Sequence, residues 1–149
     1  MKKRQAKPFL KWAGGKTQLI EQIQSNLPAK LYTTPFTYIE PFVGSGAVLF
    51  WMIANFSNIE HIVISDMNSD LINTYQVIKN NTNQLIMSLE KIQNEYHFLE
   101  NNQEKKKEYY YQKRKLYNSR TLDNIEQATL FLFLNRTCFN GLQRANGEL

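Results

Sequence analysis

Residues 38–46 read Tyr-Ile-Glu-Pro-Phe-Val-Gly-Ser-Gly, and the apolar run Ala47–Ala54 follows directly. Residues 62–66 then read Ile-Val-Ile-Ser-Asp. This order predicts a short buried strand, a tight glycine turn, a helix, and a second buried strand that ends in a carboxylate. Asp66 stands 20 residues after Gly46. At that spacing a nucleotide-binding βαβ unit sets an acid against ribose hydroxyls. The feature confines the chain to the α/β class and points to a site for an adenosine-containing cofactor.

The glycine turn narrows the choice of cofactor. Phe42-Val-Gly44-Ser-Gly46 lets backbone approach a ligand, because glycine carries no Cβ. The helix after it directs N–H groups at whatever binds there. The pattern is not G-x-G-x-x-G, however. Leu49 occupies the third glycine position, where pyrophosphate-binding folds need a small residue, so a cofactor without pyrophosphate fits better. A lone G-x-G is often only a strand–helix turn, and the acid at the right distance makes the difference. Asp66 could equally cap the next helix. Asn68, Ser69 and Asp70 are nearer candidates for that cap, which leaves Asp66 for a ribose. Glu40, at the end of the first strand, is a similar case.

Further along, helical periodicity predicts helices over about 16–26, 47–55, 68–81, 82–98 and 103–118, with strands near 38–40 and 61–65. Residues 33–37 read as a loop around Pro35, and the 47–54 helix, apolar nearly all round, should be buried. Ile125–Leu134 reads as a core helix, because Asp123 and Asn124 offer caps. Residues 136–149, with Gly141 and Gly147, read as an exposed loop or the start of a hairpin.

At 149 residues the chain is long enough for a real core. Its formal charge of +5 is unevenly spread. Residues 1–20 carry six basic side chains and no acid, residues 101–120 carry seven bases and two acids, and residues 37–100 carry seven acids and two lysines. Basic flanks around an acidic centre suggest a polyanionic partner. For Glu104–Lys115 a solvated helix face is an equal alternative. The single cysteine, Cys138, excludes an intrachain disulfide and reads as a small buried residue. His61 and His97 have no neighbours at metal-ligand spacing, so no metal site is expected. No run is long enough to span a bilayer, no signal-peptide pattern opens the chain, and a cytoplasmic location is the expectation.

Ala13-Gly-Gly-Lys16-Thr17 invites comparison with a phosphate loop, but the G-x-x-x-x-G-K-[ST] pattern fails, since Leu10 stands five before Gly15. The stretch still sets Trp12, a glycine pair and Lys16 at a helix start. That arrangement suits an aromatic face and a cation near a cofactor carboxylate or a DNA phosphate.

Four segments carry a family resemblance. They are Phe9-Leu-Lys-Trp-Ala-Gly-Gly-Lys16, Ile39-Glu-Pro-Phe-Val-Gly-Ser-Gly46, Ser65-Asp-Met-Asn-Ser-Asp-Leu71 and Leu134-Asn-Arg-Thr-Cys-Phe-Asn-Gly-Leu142. In order and spacing the chain resembles, over residues 7–149, the Dam-type DNA adenine-N6 methyltransferases that modify GATC-like sites. The resemblance implies a Rossmann-like core using S-adenosylmethionine, here with an incomplete sheet, over residues 1–69, and a helical target-recognition region over 70–149. It implies that Trp12, Ala13, Gly14 and Lys16 form the N-terminal cofactor segment, that Phe42, Gly44 and Gly46 form the methionine-end loop beside Glu40, and that Asp66 binds the ribose. It implies DNA contacts from Lys11 and from a reading loop of Phe139, Asn140, Gly141, Leu142 and Arg144. Gln143 and Ala145 depart from the family pattern and leave the target sequence open.

The family transfers the methyl group through an Asp-Pro-Pro-Tyr or Asn-Pro-Pro-Tyr motif. The four prolines here, Pro8, Pro28, Pro35 and Pro41, follow Lys7, Leu27, Thr34 and Glu40. No catalytic residue can therefore be named. The resemblance implies an N-terminal portion, inactive alone and possible to complement with a C-terminal half. A non-catalytic DNA-binding fragment is the alternative; a nicotinamide enzyme is disfavoured by Leu49 and by the basic flanks.

Overall fold

The computed structural model describes residues 6–12, 14, 16–99 and 102–138. It divides into two compact units, Met1–Met67 and Asn68–Leu149. Among the described residues it is a mixed α/β chain, and no helix is long and apolar enough to cross a membrane.

In the first unit the expected helix over 16–26 is two pieces, a 3-10 turn at Lys16–Leu19 and α1 at Ile20–Ser25. A second 3-10 turn, Ala29–Tyr32, follows Pro28 and was not foreseen in the sequence. Strand β1 covers Phe36–Glu40, helix α2 Ala47–Asn55 and strand β2 Ile59–Ile64. The strands pair in parallel, with Tyr38 opposite Ile62, Ile39 opposite Val63 and Glu40 opposite Ile64. A parallel pair needs a crossover, and α2 supplies it. Both strands start earlier than expected. Pro35 precedes β1 without interrupting it, and the Phe36 amide donates to the Asn58 carbonyl at 3.2 Å. The Asn58 side-chain amide also donates to the carbonyls of Leu31 and Thr34, at 2.8 and 2.6 Å. One residue thus clips the entrance of β1 to that of β2.

The core of this unit lies between one sheet face and α2. Val48, Met52 and Phe56 are buried, and Ile23, Leu27, Leu31, Phe36, Tyr38, Trp51 and Ile59 pack on them. Phe56 meets the rings of Tyr32, Phe36 and Trp51 at centroid distances of 5.1, 5.7 and 5.9 Å. Burial of each large apolar side chain contributes about 1.5–3 kcal/mol. The opposite sheet face is uncovered: Ile39 and Val63, paired and therefore on the same side, are 62% and 51% exposed. The expectation that the 47–54 helix is buried all round is corrected. Ala47, Val48, Leu49 and Met52 are buried, but Ile53 and Ala54 reach solvent, because this unit has core on only one side of the helix.

The second unit is helical: α3 Ser69–Asn80, α4 Thr82–Phe98, α5 Gln103–Ser119 and α6 Asn124–Thr137. Asn68, Asn102 and Asp123 cap α3, α5 and α6 by accepting from amides of the first turn, leaving fewer orphan donors. Helix α6 packs against α3, α4 and α5. That central position explains its sequence, because Ala128, Leu130, Phe131, Phe133 and Leu134 are buried on several sides of it. Tyr96, Tyr109 and Phe133 form an aromatic triangle with centroids 5.5–6.0 Å apart.

A polar cluster ties this unit together. Arg120 donates to both oxygens of Asp70, at 2.7 and 2.8 Å, and the Tyr117 hydroxyl donates to the same carboxylate. Gln127 Nε2 reaches Asp70 at 3.4 Å. Arg120 adopts a left-handed conformation (φ 57°) as the α5 C-cap. The left-handed region costs an L-residue about 1–2 kcal/mol, which the ion pair and a Tyr117 ring 4.7 Å from the guanidinium offset. Cys138 is half-buried instead of fully buried, because α6 ends just before it; its thiol points back to the Asn135 carbonyl at 3.6 Å.

Candidate functional site

A cleft of about 190 Å³ opens in the first unit where β1 and β2 end. Trp12, Gly14, Lys16, Phe42, Val43, Gly44, Ser45, Ala47 and Asp66 line it. Ligand sites of open α/β sheets lie at this end of parallel strands.

The strand hydrogen bonding continues past the last paired residues and fixes the loop. The Ser65 amide donates to the Glu40 carbonyl at 3.0 Å, the Val43 amide to the Ser65 carbonyl at 3.0 Å, and the Ser65 hydroxyl to the Pro41 carbonyl at 2.9 Å. The turn itself demands glycine. Gly44 has φ 50°, and a Cβ there would come within 3.3 Å of the Trp12 ring. Gly46 has φ 81° and forms the N-terminal boundary of α2. Indole and bare backbone thus share one wall of the cleft.

Its charged groups are arranged in two sets. The Gly44 amide donates to Asp66 Oδ2 at 3.0 Å, so the half-buried acid is held at the glycine loop. Lys16 Nζ donates to Glu40 Oε1 at 3.2 Å and to the Phe42 carbonyl. Glu40 is buried, and its Oε2 accepts from the Tyr38 hydroxyl at 2.7 Å. Burial, followed by the adjacent Glu40 carboxylate, pushes the Tyr38 hydroxyl well above the usual tyrosine range, so it remains a donor.

Of the residues singled out in the sequence, Trp12, Gly14, Lys16, Phe42, Gly44 and Asp66 line the cleft. Glu40 lies beneath it as the partner of Lys16, and Gly46 sits at the helix start. Ala13 lies outside the described residues, as do Phe139, Asn140, Gly141, Leu142 and Arg144. Lys11 is exposed and does not line the cleft. Val43, Ser45 and Ala47 line it without having been singled out, though their place beside the two glycines is a sufficient signal. Tyr38 was missed as well. Its alternation with Glu40 along a strand was the available clue.

The cleft offers an aromatic face, a cation, a carboxylate and accessible backbone, which are the elements of a binding site for a polar small molecule. The chain belongs to the family of D12 class N6 adenine-specific DNA methyltransferases, whose model matches residues 12–148. Among its relatives, a type II methyltransferase of Methanocaldococcus jannaschii, M.MjaIII, is 46% identical over 143 residues, 95% of this chain and 49% of that protein. A DNA adenine methylase of Haemophilus influenzae is 38% identical over 142 residues, 95% of this chain and 44% of that protein. A DNA adenine methylase of Serratia marcescens is 38% identical over 148 residues, 98% of this chain and 47% of that protein. The chain thus spans about half the length of these relatives.

Proposed function

We infer that this chain is the cofactor-binding and target-recognition part of an enzyme with a Rossmann-like core that moves a methyl group from S-adenosylmethionine to adenine N6 in duplex DNA. The observation that carries the reading is the cleft itself, where Gly44 backbone, the Asp66 carboxylate, Lys16 and the Trp12 ring meet at the ends of parallel strands. Asp66 takes the ribose hydroxyls, the glycine loop and Lys16 take the methionine end, and Trp12 gives an apolar wall. These roles also rest on family membership. S-adenosylmethionine, when bound, supplies an electrophilic methyl group; the residues present bind and orient it. Calorimetry tests the assignment. The chain should bind S-adenosylmethionine in preference to NAD, and equal affinity for both would defeat it.

The DNA partner is proposed from the family and from charge. In α5 the outward-facing Lys105, Lys107 and Lys115 are exposed, and Lys11 adds to the basic N-terminal segment. Binding to duplex DNA should fall steeply with salt as phosphate neutralisation releases counterions. The loop of Phe139, Asn140, Gly141, Leu142 and Arg144 is proposed to read a GATC-like site, so Arg144→Ala should relax sequence preference, whereas Lys107→Ala should lower affinity for all sequences alike. Sequence preference unmoved by Arg144→Ala would shift the reading loop elsewhere. A cytoplasmic location accords with such a substrate.

Transfer itself is proposed to need a complementing C-terminal half. The absence of any Asp-Pro or Asn-Pro pair in the sequence supports this, as does the uncovered apolar face at Ile39 and Val63. In this proposal residues 1–69 form the cofactor-binding core part and residues 70–149 the target-recognition part.

A further inference from the structure

We propose that Tyr38 is a positioning residue for ligand binding, acting through Glu40 on Lys16. The inference rests on the S-adenosylmethionine reading of the cleft and deepens it. Tyr38 and Glu40 lie two residues apart on β1 and therefore on one face. The Tyr38 hydroxyl holds Glu40 Oε2 at 2.7 Å, and Glu40 Oε1 accepts from Lys16 Nζ at 3.2 Å. Both carboxylate oxygens are thus committed, and the carboxylate cannot swing without losing one partner.

Lys16 has three N–H donors. One goes to Glu40 and one to the Phe42 carbonyl, which aims the ammonium along the wall of the cleft that Lys16 lines. The third remains for an anionic group of a ligand, the methionine carboxylate in this reading. Without the hydroxyl, Glu40 is free to turn about its terminal torsion, and little water reaches this buried carboxylate to replace the lost donor. Lys16 then loses the fixed direction of its third N–H. The effect falls on the carboxylate end of the ligand and spares the adenosine end, where Asp66 is held by a hydrogen bond of its own.

The experiment is a double-mutant cycle on the full chain, read by calorimetry with S-adenosylmethionine and, separately, adenosine. Tyr38→Phe should weaken S-adenosylmethionine about fivefold, within the range for one hydrogen bond, and leave adenosine unchanged. In a Lys16→Met background, Tyr38→Phe should cause no further loss. Wild-type chain that binds neither probe would overturn the reading of the cleft, and with it this inference. Wild-type chain that binds, with Tyr38→Phe equal to it, would overturn the inference alone. So would equal losses for both probes, additive losses in the cycle, or a Tyr38→Phe chain that no longer folds, since each assigns the hydroxyl a merely structural role.

Discussion

Each unit is organised around a carboxylate close to the start of a helix or the end of a strand, and the two are used in opposite ways. Asp66 is half-buried beside a cleft and accepts from the Gly44 backbone amide, and the neighbouring cation Lys16 keeps a donor in hand. Asp70 has both oxygens held by Arg120 and one also by Tyr117, with Gln127 at longer range. The first set lines an open cleft, the arrangement proposed above to take a ligand. The second closes on itself and orders three helices. Proximity of charged residues does not separate a candidate site from a strut; whether they line an open cleft or join helices to one another does.

The largest expected effect concerns what neither cluster supplies. Adenine N6 is a poor nucleophile, its lone pair delocalised into the ring, and transfer needs the amino group held by acceptors with the base out of the stack. The chain carries no Asp-Pro-Pro-Tyr or Asn-Pro-Pro-Tyr motif. Purified chain should give no methyl transfer to a GATC-containing duplex above a heat-killed control, and addition of a C-terminal half should restore it. Turnover by the chain alone would show that a catalytic centre lies elsewhere in these 149 residues.

Two matched substitutions break or sharpen the comparison itself. Asp70→Ala strips an ion pair and leaves Tyr117 and Gln127 short of an acceptor. Arg120 is half exposed, so the loss is discounted for solvent screening to about 2–3 kcal/mol of stability, read from urea midpoints. Asp66→Ala should cost little stability and weaken S-adenosylmethionine by about 1–3 kcal/mol, the range for a buried polar partner left unpaired. If both variants lose the same amount of stability and the same amount of affinity, the distinction between site and strut fails.

How much of this was legible in the sequence follows from the same difference. The cleft was legible because its chemistry is local. Gly44, Gly46 and Asp66 are close in sequence, and a glycine with positive φ and a ring against it leaves a direct trace as glycine. The strut was not. Asp70 reads as one of several capping residues, since its partners Tyr117, Arg120 and Gln127 lie 47, 50 and 57 residues away. The basic segment over 101–120 shows the limit of counting charge. Of its seven bases, Lys106 lies over the Tyr96 ring, Lys113 pairs with Glu95 beside Tyr109, and Arg120 serves Asp70, so part of the apparent surface charge is internal bonding. Asn68 was recognisable as a cap, whereas the Asn58 clip, which joins two loops through three carbonyl and amide contacts, has no local signature.

The smallest expected effect is a pH dependence arising in the helical unit. Burial alone would raise the pKa of Asp70, but hydrogen bonds from Arg120 and Tyr117, the Arg120 charge and Gln127 more than offset it, and the carboxyl is held below its usual range. Glu95 is lowered also, first by the Tyr109 hydroxyl and then, against some burial, by Lys113. For a carboxylate whose folded value lies below the unfolded one, the unfolded chain takes up protons first as pH falls. The stabilisation is therefore complete above the unfolded value, about 4, and is lost as pH drops through the folded value. Urea midpoints measured downward from pH 6 should hold steady and then fall below about pH 4, the region where these carboxyls titrate. Asp70→Asn should start lower at pH 6 and decline less, with the two curves converging in acid. Parallel curves for the two chains would mean that Asp70 carries no differential protonation, and that its ring of donors is packing without electrostatic consequence.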